Sequence, residues 1–310
     1  MTRRRTLLFV LLILLGLALA LLLTYAAGQT PTQQEVRLSV ILREETTDRW
    51  NVLSSGIQQA CARLGIATPV TTMAGGGTQR QLTLIERDLA AGAQGFILAP
   101  ASGDILEDLA SVTGNTPAVL VEAHPGCPLA SVGPDDALLA QTLAGGLLAE
   151  EEEVVVLAHN LHLENIRRRY DALLQQLDDM GIPVTVWESG GQDLTTFLSA
   201  QLRGKPPRAI VALDVTTLER AIDAATAIDA LPRLYGIGSS DKIIYQLDRQ
   251  LVREICYYNE FAVGYNAVMH LAEAIGLKTP EAVFEVEPFL VRQDNLYEPE
   301  VERLLFPSAL

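Results

Sequence analysis

The most chemistry-like spacing in the chain is His159-Asn-Leu-His162-Leu-Glu164, which offers a metal ion two imidazoles and a carboxylate. A single H-x-x-H on a loop is a weak metal signature, and the plain reading is a solvated loop. Gly75-Gly76-Gly77 is the one glycine run, but it lies after the second strand-like segment and reads as a flexible turn. No G-x-G-x-x-G follows the first strand and no Walker A sequence occurs, so a nucleotide has no phosphate cradle. No G-x-S-x-G elbow offers a nucleophile. Cys61, Cys127 and Cys256 lack C-x-x-C spacing. Cys61 on an apolar helix face and Cys256 in a strand read as inert core thiols. The sequence therefore predicts no enzyme, no metal and no cofactor, and chemistry limited to binding.

The elements that would position a binding site repeat one unit. Leu38–Leu42 is a short apolar run suited to a buried parallel strand. Leu53, Ile57, Ala60, Cys61 and Leu64 then share a helical face closed by Gly65. Strands follow at Thr68–Thr72, Gly95–Leu98, Ala118–Val121, Glu153–Ala158, Val184–Trp187, Ala209–Leu213 and Leu234–Ile237, the last clear parallel strand. Helices alternate with them around Leu82–Leu89 and at Ile105–Val112, Ala137–Ala149, Leu163–Met180, Leu194–Leu202 and Thr217–Ile228. This alternation predicts an α/β fold of parallel sheets with helices on both faces. So many strands exceed one small sheet, and the turn-rich piece between Pro117 and Pro134 divides them into two doubly wound lobes. In such sheets ligands bind beyond the carboxyl ends of the strands. That rule selects the loops Arg43–Trp50, Ala99–Asp104, Glu122–Gly126, His159–Arg169, Asp214–Thr217 and Gly238–Asp241.

Length and charge agree with such a body. The chain has 310 residues and a net charge of −15, with 49% hydrophobic and 20% charged residues. That composition excludes a disordered or fibrous chain, and so acidic a surface repels nucleic acid. Arg3-Arg4-Arg5 precedes Leu7–Leu23, 17 residues with no polar side chain. At about 1.5 Å per residue the run spans roughly 26 Å, and Thr24–Gly28 lengthens it enough to cross a bilayer. The three arginines place the N-terminus in the cytoplasm and the body outside. The segment 1–28 is either an uncleaved anchor or a signal peptide cut after Ala26-Ala27-Gly28. No cysteine follows it closely, so no lipoprotein attachment is expected. Residues 29–35 read as a polar linker.

Several local sequences, in order along the chain, carry a family resemblance. They are Asp48-Arg49-Trp50, seven residues before Ile57; Gly95-Phe-Ile-Leu-Ala-Pro100 followed by Asp104; and Thr116-Pro-Ala-Val-Leu-Val-Glu122. Further on come Arg169-Tyr-Asp-Ala-Leu173, Tyr258-Asn-Glu-Phe-Ala-Val-Gly-Tyr265 and the tail from Asn295 to Pro307. From about Val36 onward the chain resembles the type I periplasmic-binding family, particularly ribose-binding-protein-like components of ABC importers. The resemblance implies crossover hinge strands joining lobe 1 (36–133 plus 259–288) to lobe 2 (134–258 plus 289–310). It implies capture of a small polar ligand, a carbohydrate first, for delivery to an ABC permease. A membrane-anchored module signalling to a partner kinase or receptor is the alternative. The implied ligand-binding residues are Thr47, Trp50, Glu122, Asp136, Arg169, Asp214 and Tyr258. Trp50 would stack on an apolar sugar face. Glu122 and Asp214 would accept hydroxyl hydrogen bonds, and Arg169 would donate a bidentate pair. The sequence departs from the family pattern at Ala123, where an arginine commonly follows the acid, and at Asp214, where asparagine is usual. Gly238 replaces a usual acid, and Tyr258 a usual glutamine.

Overall fold

Strands β1 (Leu38–Leu42), β3 (Gly95–Leu98), β4 (Ala118–Val121), β6 (Val154–Leu157) and β8 (Ala209–Ala212) are buried at every position. Strands covered on both faces have no reason to alternate apolar with polar residues, which is why they read as continuous apolar runs. The computed structural model describes residues 36–43, 50–75, 77–123, 129–228, 231–279 and 284–306. The chain divides into residues 1–36 and residues 37–310, and every element named below belongs to the second unit. Leu7–Leu23, the 29–35 linker, Thr47 and Cys127 lie outside the described residues. Among the described residues no helix is long and apolar enough to cross a membrane, and no group of three or more His, Cys, Asp or Glu could hold a metal ion.

The first sheet adds β2 (Thr71–Met73) and β5 (Ala130–Val132) and runs β2-β1-β3-β4-β5, all parallel. Helices α1 (Asn51–Leu64), α2 (Thr78–Ala90) and α3 (Leu106–Thr113) connect its strands. The second sheet adds β7 (Val184–Trp187), β9 (Arg233–Ile237), β10 (Val252–Tyr258) and β11 (Pro288–Arg292), in the order β11-β10-β9-β8-β6-β7. Its helices are α4 (Asp136–Ala144), α5 (Glu164–Asp179), α6 (Leu194–Arg203), α7 (Val215–Ala227) and α8 (Asp241–Asp248). A late helix, α9 (Glu260–Ala274), packs on α1 and on the first sheet, whereas β11 returns to the second; α10 (Pro299–Leu305) follows it. Each sheet has its own apolar core, one around Ile85, Phe96 and Leu120 and the other around Leu198, Leu218 and Ile255.

Four details differ from the sequence expectation. The turn-rich piece is not a clean divider, because β5 inside it pairs with β4. A three-residue edge strand with an exposed first residue is too short to show a period. The second sheet is not wholly parallel: β10 adds a parallel strand beside β9, and β11 lies antiparallel on β10. That register sets Glu254 opposite Arg292, and the two form an ion pair with the Glu254 carboxylate fully buried. Helix α4 stops at Ala144 rather than Ala149, because Gly145-Gly146 gives the helix neither side-chain packing nor low backbone entropy. Strand β2 is shorter and later than Thr68–Thr72, since Pro69 has no N–H to donate.

Helices α1 and α9 touch through glycine. A Cβ on Gly264 would lie 2.0 Å from the Leu53 carbonyl oxygen, and one on Gly56 would lie 2.1 Å from that of Phe261. The backbones meet where side chains would otherwise hold them apart. On the same helix as Gly56, Cys61 is buried, and burial pushes its thiol up to about 11; burial raises Cys256 to about 12. The thiolate is the nucleophile, so neither thiol is reactive near neutrality. Iodoacetamide at pH 8 is expected to leave Cys61 and Cys256 unmodified in the folded protein and to label both in urea, read by peptide mass spectrometry. Rapid native labelling of either would contradict their placement.

Candidate functional site

The carboxyl ends of the strands in both sheets carry the side chains that converge. Arg43 directly follows β1, and its guanidinium lies 5.6 Å from the ring centroid of Trp50, the residue before α1. A cation over an indole face is attracted by the ring quadrupole. Arg43 also forms a buried ion pair with Glu122, directly after β4. Glu122 sits at φ 55°, a left-handed conformation that costs a residue with a Cβ energy and that proteins retain where surroundings impose it. Tyr258, the last residue of β10, donates its hydroxyl hydrogen to Glu122 Oε1 at 3.3 Å. That bond joins the end of the second sheet to the end of the first.

A second group stands on α4, α5 and the β8–α7 turn. Arg169 Nε donates to Asp136 Oδ1 at 2.8 Å, and Nη1 donates to the Leu213 carbonyl at 3.1 Å. Both side chains of this pair are buried. Burial opposes the charge on Arg169, but Asp136, Tyr258 and Glu122 outweigh it and push its pKa up, so it stays a cation. Asp136 is raised above the usual carboxylate range, because its own burial outweighs the attraction of Arg169, and nearby Glu122 adds repulsion. These mutual influences mark the two groups as one neighbourhood.

Asp214 serves first as a helix cap. Its Oδ1 accepts from the Thr217 backbone N–H at 2.9 Å and its Oδ2 from the Thr217 hydroxyl at 2.7 Å. Such a carboxylate satisfies an orphan N–H at the start of α7. Asn160, also left-handed at φ 56°, reaches Asp214 Oδ2 at 3.4 Å. Opposite α5, Gly103 N donates to the His162 carbonyl at 3.0 Å, so the loop after β3 touches the loop after β6.

Of the residues expected from sequence, Trp50, Glu122 and Tyr258 fall into the group around Arg43, and Asp136 and Arg169 into the adjoining one. Asp214 stands beside Leu213. Sequence reasoning did not name Arg43 or Asn160, which the structure brings into these groups. The signal for Arg43 was present: the cation lacking at Ala123 is supplied from the end of β1, one of the selected strand-end loops. Asn160 lay inside the selected loop His159–Arg169 but belongs to no recognised motif.

The sequence profile of the periplasmic binding protein domain matches residues 39–279. The chain belongs to the periplasmic binding protein family. Solved structures agree with this fold across most of the chain. A carbohydrate transporter solute-binding protein from Agrobacterium radiobacter, in complex with D-arabinose, superposes with TM-score 0.76 at 18% identity, covering 88% of this chain and 100% of that one. An ABC transporter solute-binding protein from Agrobacterium vitis, bound with α-D-tagatopyranose, gives 0.74 at 14% identity, covering 87% and 99%. A carbohydrate transporter from Acidothermus cellulolyticus, in complex with myo-inositol, gives 0.71 at 16%, covering 87% and 99%. No curated protein sequence matches the chain significantly. Identities this low show the family's α/β architecture and not the ligand of this member.

Proposed function

We propose that this periplasmic binding protein is an extracytoplasmic solute receptor that captures a small neutral carbohydrate between its two lobes for an ABC importer. The observation that carries the reading is the convergence at the strand ends of an indole, two guanidinium–carboxylate pairs and a tyrosine hydroxyl. A sugar offers an apolar C–H face for Trp50 and a rim of hydroxyls for the charged groups. Lobe 1 comprises residues 36–133 and 259–288, and lobe 2 residues 134–258 and 289–310. The crossovers after β5, β10 and α9 absorb the rotation between open and closed forms. Closure is favoured by the extent to which the ligand touches both lobes. The membrane-anchored, kinase-coupled alternative is favoured by Arg3-Arg4-Arg5 and the apolar run with no nearby cysteine. Co-purification from detergent-solubilised membranes with a permease or with a kinase separates the two.

A thermal-shift screen of the purified protein against monosaccharides, polyols and nucleosides tests the reading. A ligand at 100 times its Kd adds about 2.7 kcal/mol, a shift such a screen resolves. No shift from any neutral sugar would contradict it.

The contact at Gly103 gives a further expected result. A Cβ there would lie 3.3 Å from the His162 carbonyl oxygen, so anything larger than alanine pushes the loops apart. Gly103→Val is expected to weaken sugar binding by about tenfold, because the added side chain would push apart the loops after β3 and β6 that meet there. Calorimetric titration measures the affinity, and X-ray scattering should show a ligand-induced contraction smaller than in the wild type. Wild-type affinity and contraction would contradict this role.

A further inference from the structure

Arg169 uses two of its nitrogens on Asp136 and Leu213, but Nη2 has no hydrogen-bond partner among the described residues. One helical turn earlier on the same face of α5, Asn165 is 2% exposed, and its Nδ2 likewise has no partner there. Buried donors left unpaired are costly, and native proteins pair nearly all of them. Two in successive turns of one helix therefore point to an acceptor that the described residues do not supply. The same end of α5 lacks a side-chain cap, since Leu163 offers no acceptor. The first N–H groups of this 16-residue helix add to the donor edge.

The carboxylates nearby are already engaged: Glu122 with Arg43, Asp136 with Arg169, and Asp214 with Thr217 and Asn160. Acids outnumber guanidinium groups in this set, so no surplus cation stands ready for an anionic ligand. Burying an anion there would leave it uncompensated. The donor edge suits oxygens that accept without bearing charge.

We propose that Asn165 is a ligand-reading residue whose amide, with the Arg169 Nη2, forms a two-donor edge for acceptor oxygens of a neutral polyhydroxylated ligand. This rests on the solute-receptor reading and adds a residue and a charge rule to it. The edge selects the uncharged sugar over its carboxylate counterpart, and Asn165 fixes which ring oxygens face α5.

The test compares the full chain with Asn165→Ala in thermal unfolding without ligand, and in calorimetric titration. The titrants are D-arabinose, D-tagatose, myo-inositol, D-galactose and D-galacturonate. Because the Nδ2 makes no internal bond, the variant should keep its midpoint within about 2 °C or gain stability. It should bind whichever neutral sugar the wild type binds at least ~10-fold more weakly, the loss of a buried hydrogen bond. The wild type should bind D-galacturonate no better than D-galactose. A ligand-free midpoint lower by more than about 5 °C would mark Asn165 as structural and overturn the proposal. So would unchanged sugar affinity in the variant, or tighter binding of the galacturonate. If the wild type binds none of the neutral sugars, the carbohydrate reading fails. The ligand-free midpoint then still decides for Asn165: unchanged or raised supports a ligand-facing amide, and a fall contradicts it.

Discussion

Arg169→Ala is expected to lower sugar affinity by about a hundredfold and to destabilise the protein at the same time. Hydrogen bonds from a charged donor are worth roughly 1.5–3 kcal/mol. The guanidinium joins Asp136 to the Leu213 carbonyl, and its Nη2, without a partner among the described residues, is the donor proposed for the ligand. Its removal also leaves the Asp136 carboxylate buried without its cation. Breaking one side of a buried pair typically costs about 3–5 kcal/mol. For a protein of this size each kcal/mol moves the unfolding midpoint by about 2–4 °C, so the fall should be near 10 °C. The double variant Arg169→Met with Asp136→Leu separates the two effects. Replacing both partners by apolar groups of similar volume should restore most of the stability, while affinity stays lost. Circular dichroism melts and calorimetric titration read the two quantities. A double variant that regains affinity would place the ligand elsewhere.

The second large effect concerns the close contact between α1 and α9. Gly264→Val is expected to lower the midpoint by at least about 6 °C, or to prevent folding outright. The added Cβ would fall 2.0 Å from the Leu53 carbonyl oxygen, a backbone atom that cannot move without separating α1 from α9. Overpacking of a rigid contact costs about 1–3 kcal/mol or more, and here it also distorts the helix that leads out of β10. Gly56→Ala, on the facing helix, should be nearly as damaging, since its Cβ would meet the Phe261 carbonyl at 2.1 Å. Melting curves that coincide with the wild type for both variants would contradict the packing.

The architecture was legible in the sequence because parallel strands buried on both faces leave long apolar runs with no competing period. Val154–Leu157 and Ala209–Ala212 announce themselves this way. Helix ends were legible where glycine enters the left-handed region, as at Gly65 with φ 67°. Two short edges were less legible: β5 went unread and β2 was placed a few residues early, since three residues each are too few to show a period, whereas the edge strand β7 was read as it stands. The antiparallel seat of β11 is set by its pairing with β10, Glu254 opposite Arg292 included, between residues distant in sequence.

The candidate site was legible as a set of strand-end loops, and less so as individual residues. Glu122, Arg169 and Tyr258 were named through motif order and stand together. Asp214 was named as a ligand acceptor, yet its oxygens are occupied first by Thr217 at the start of α7. A Ser, Thr, Asn or Asp just before a helix always carries that second reading. Arg43 escaped because a charge beside a strand end looks like surface until its partner is known. That partner, Glu122, arrives from β4, far along the chain.

In the proposed reading a neutral sugar is held by the residues gathered at the strand ends of both sheets. Calorimetric titration of the wild type, Trp50→Ala and Arg169→Ala with the same neutral monosaccharides and polyols tests it most directly. One site per chain is expected in the wild type, and at least tenfold weaker binding in each variant, from loss of the stacking face and of charged donors respectively. Absence of binding to any of these compounds, or affinity unchanged in both variants, would contradict it.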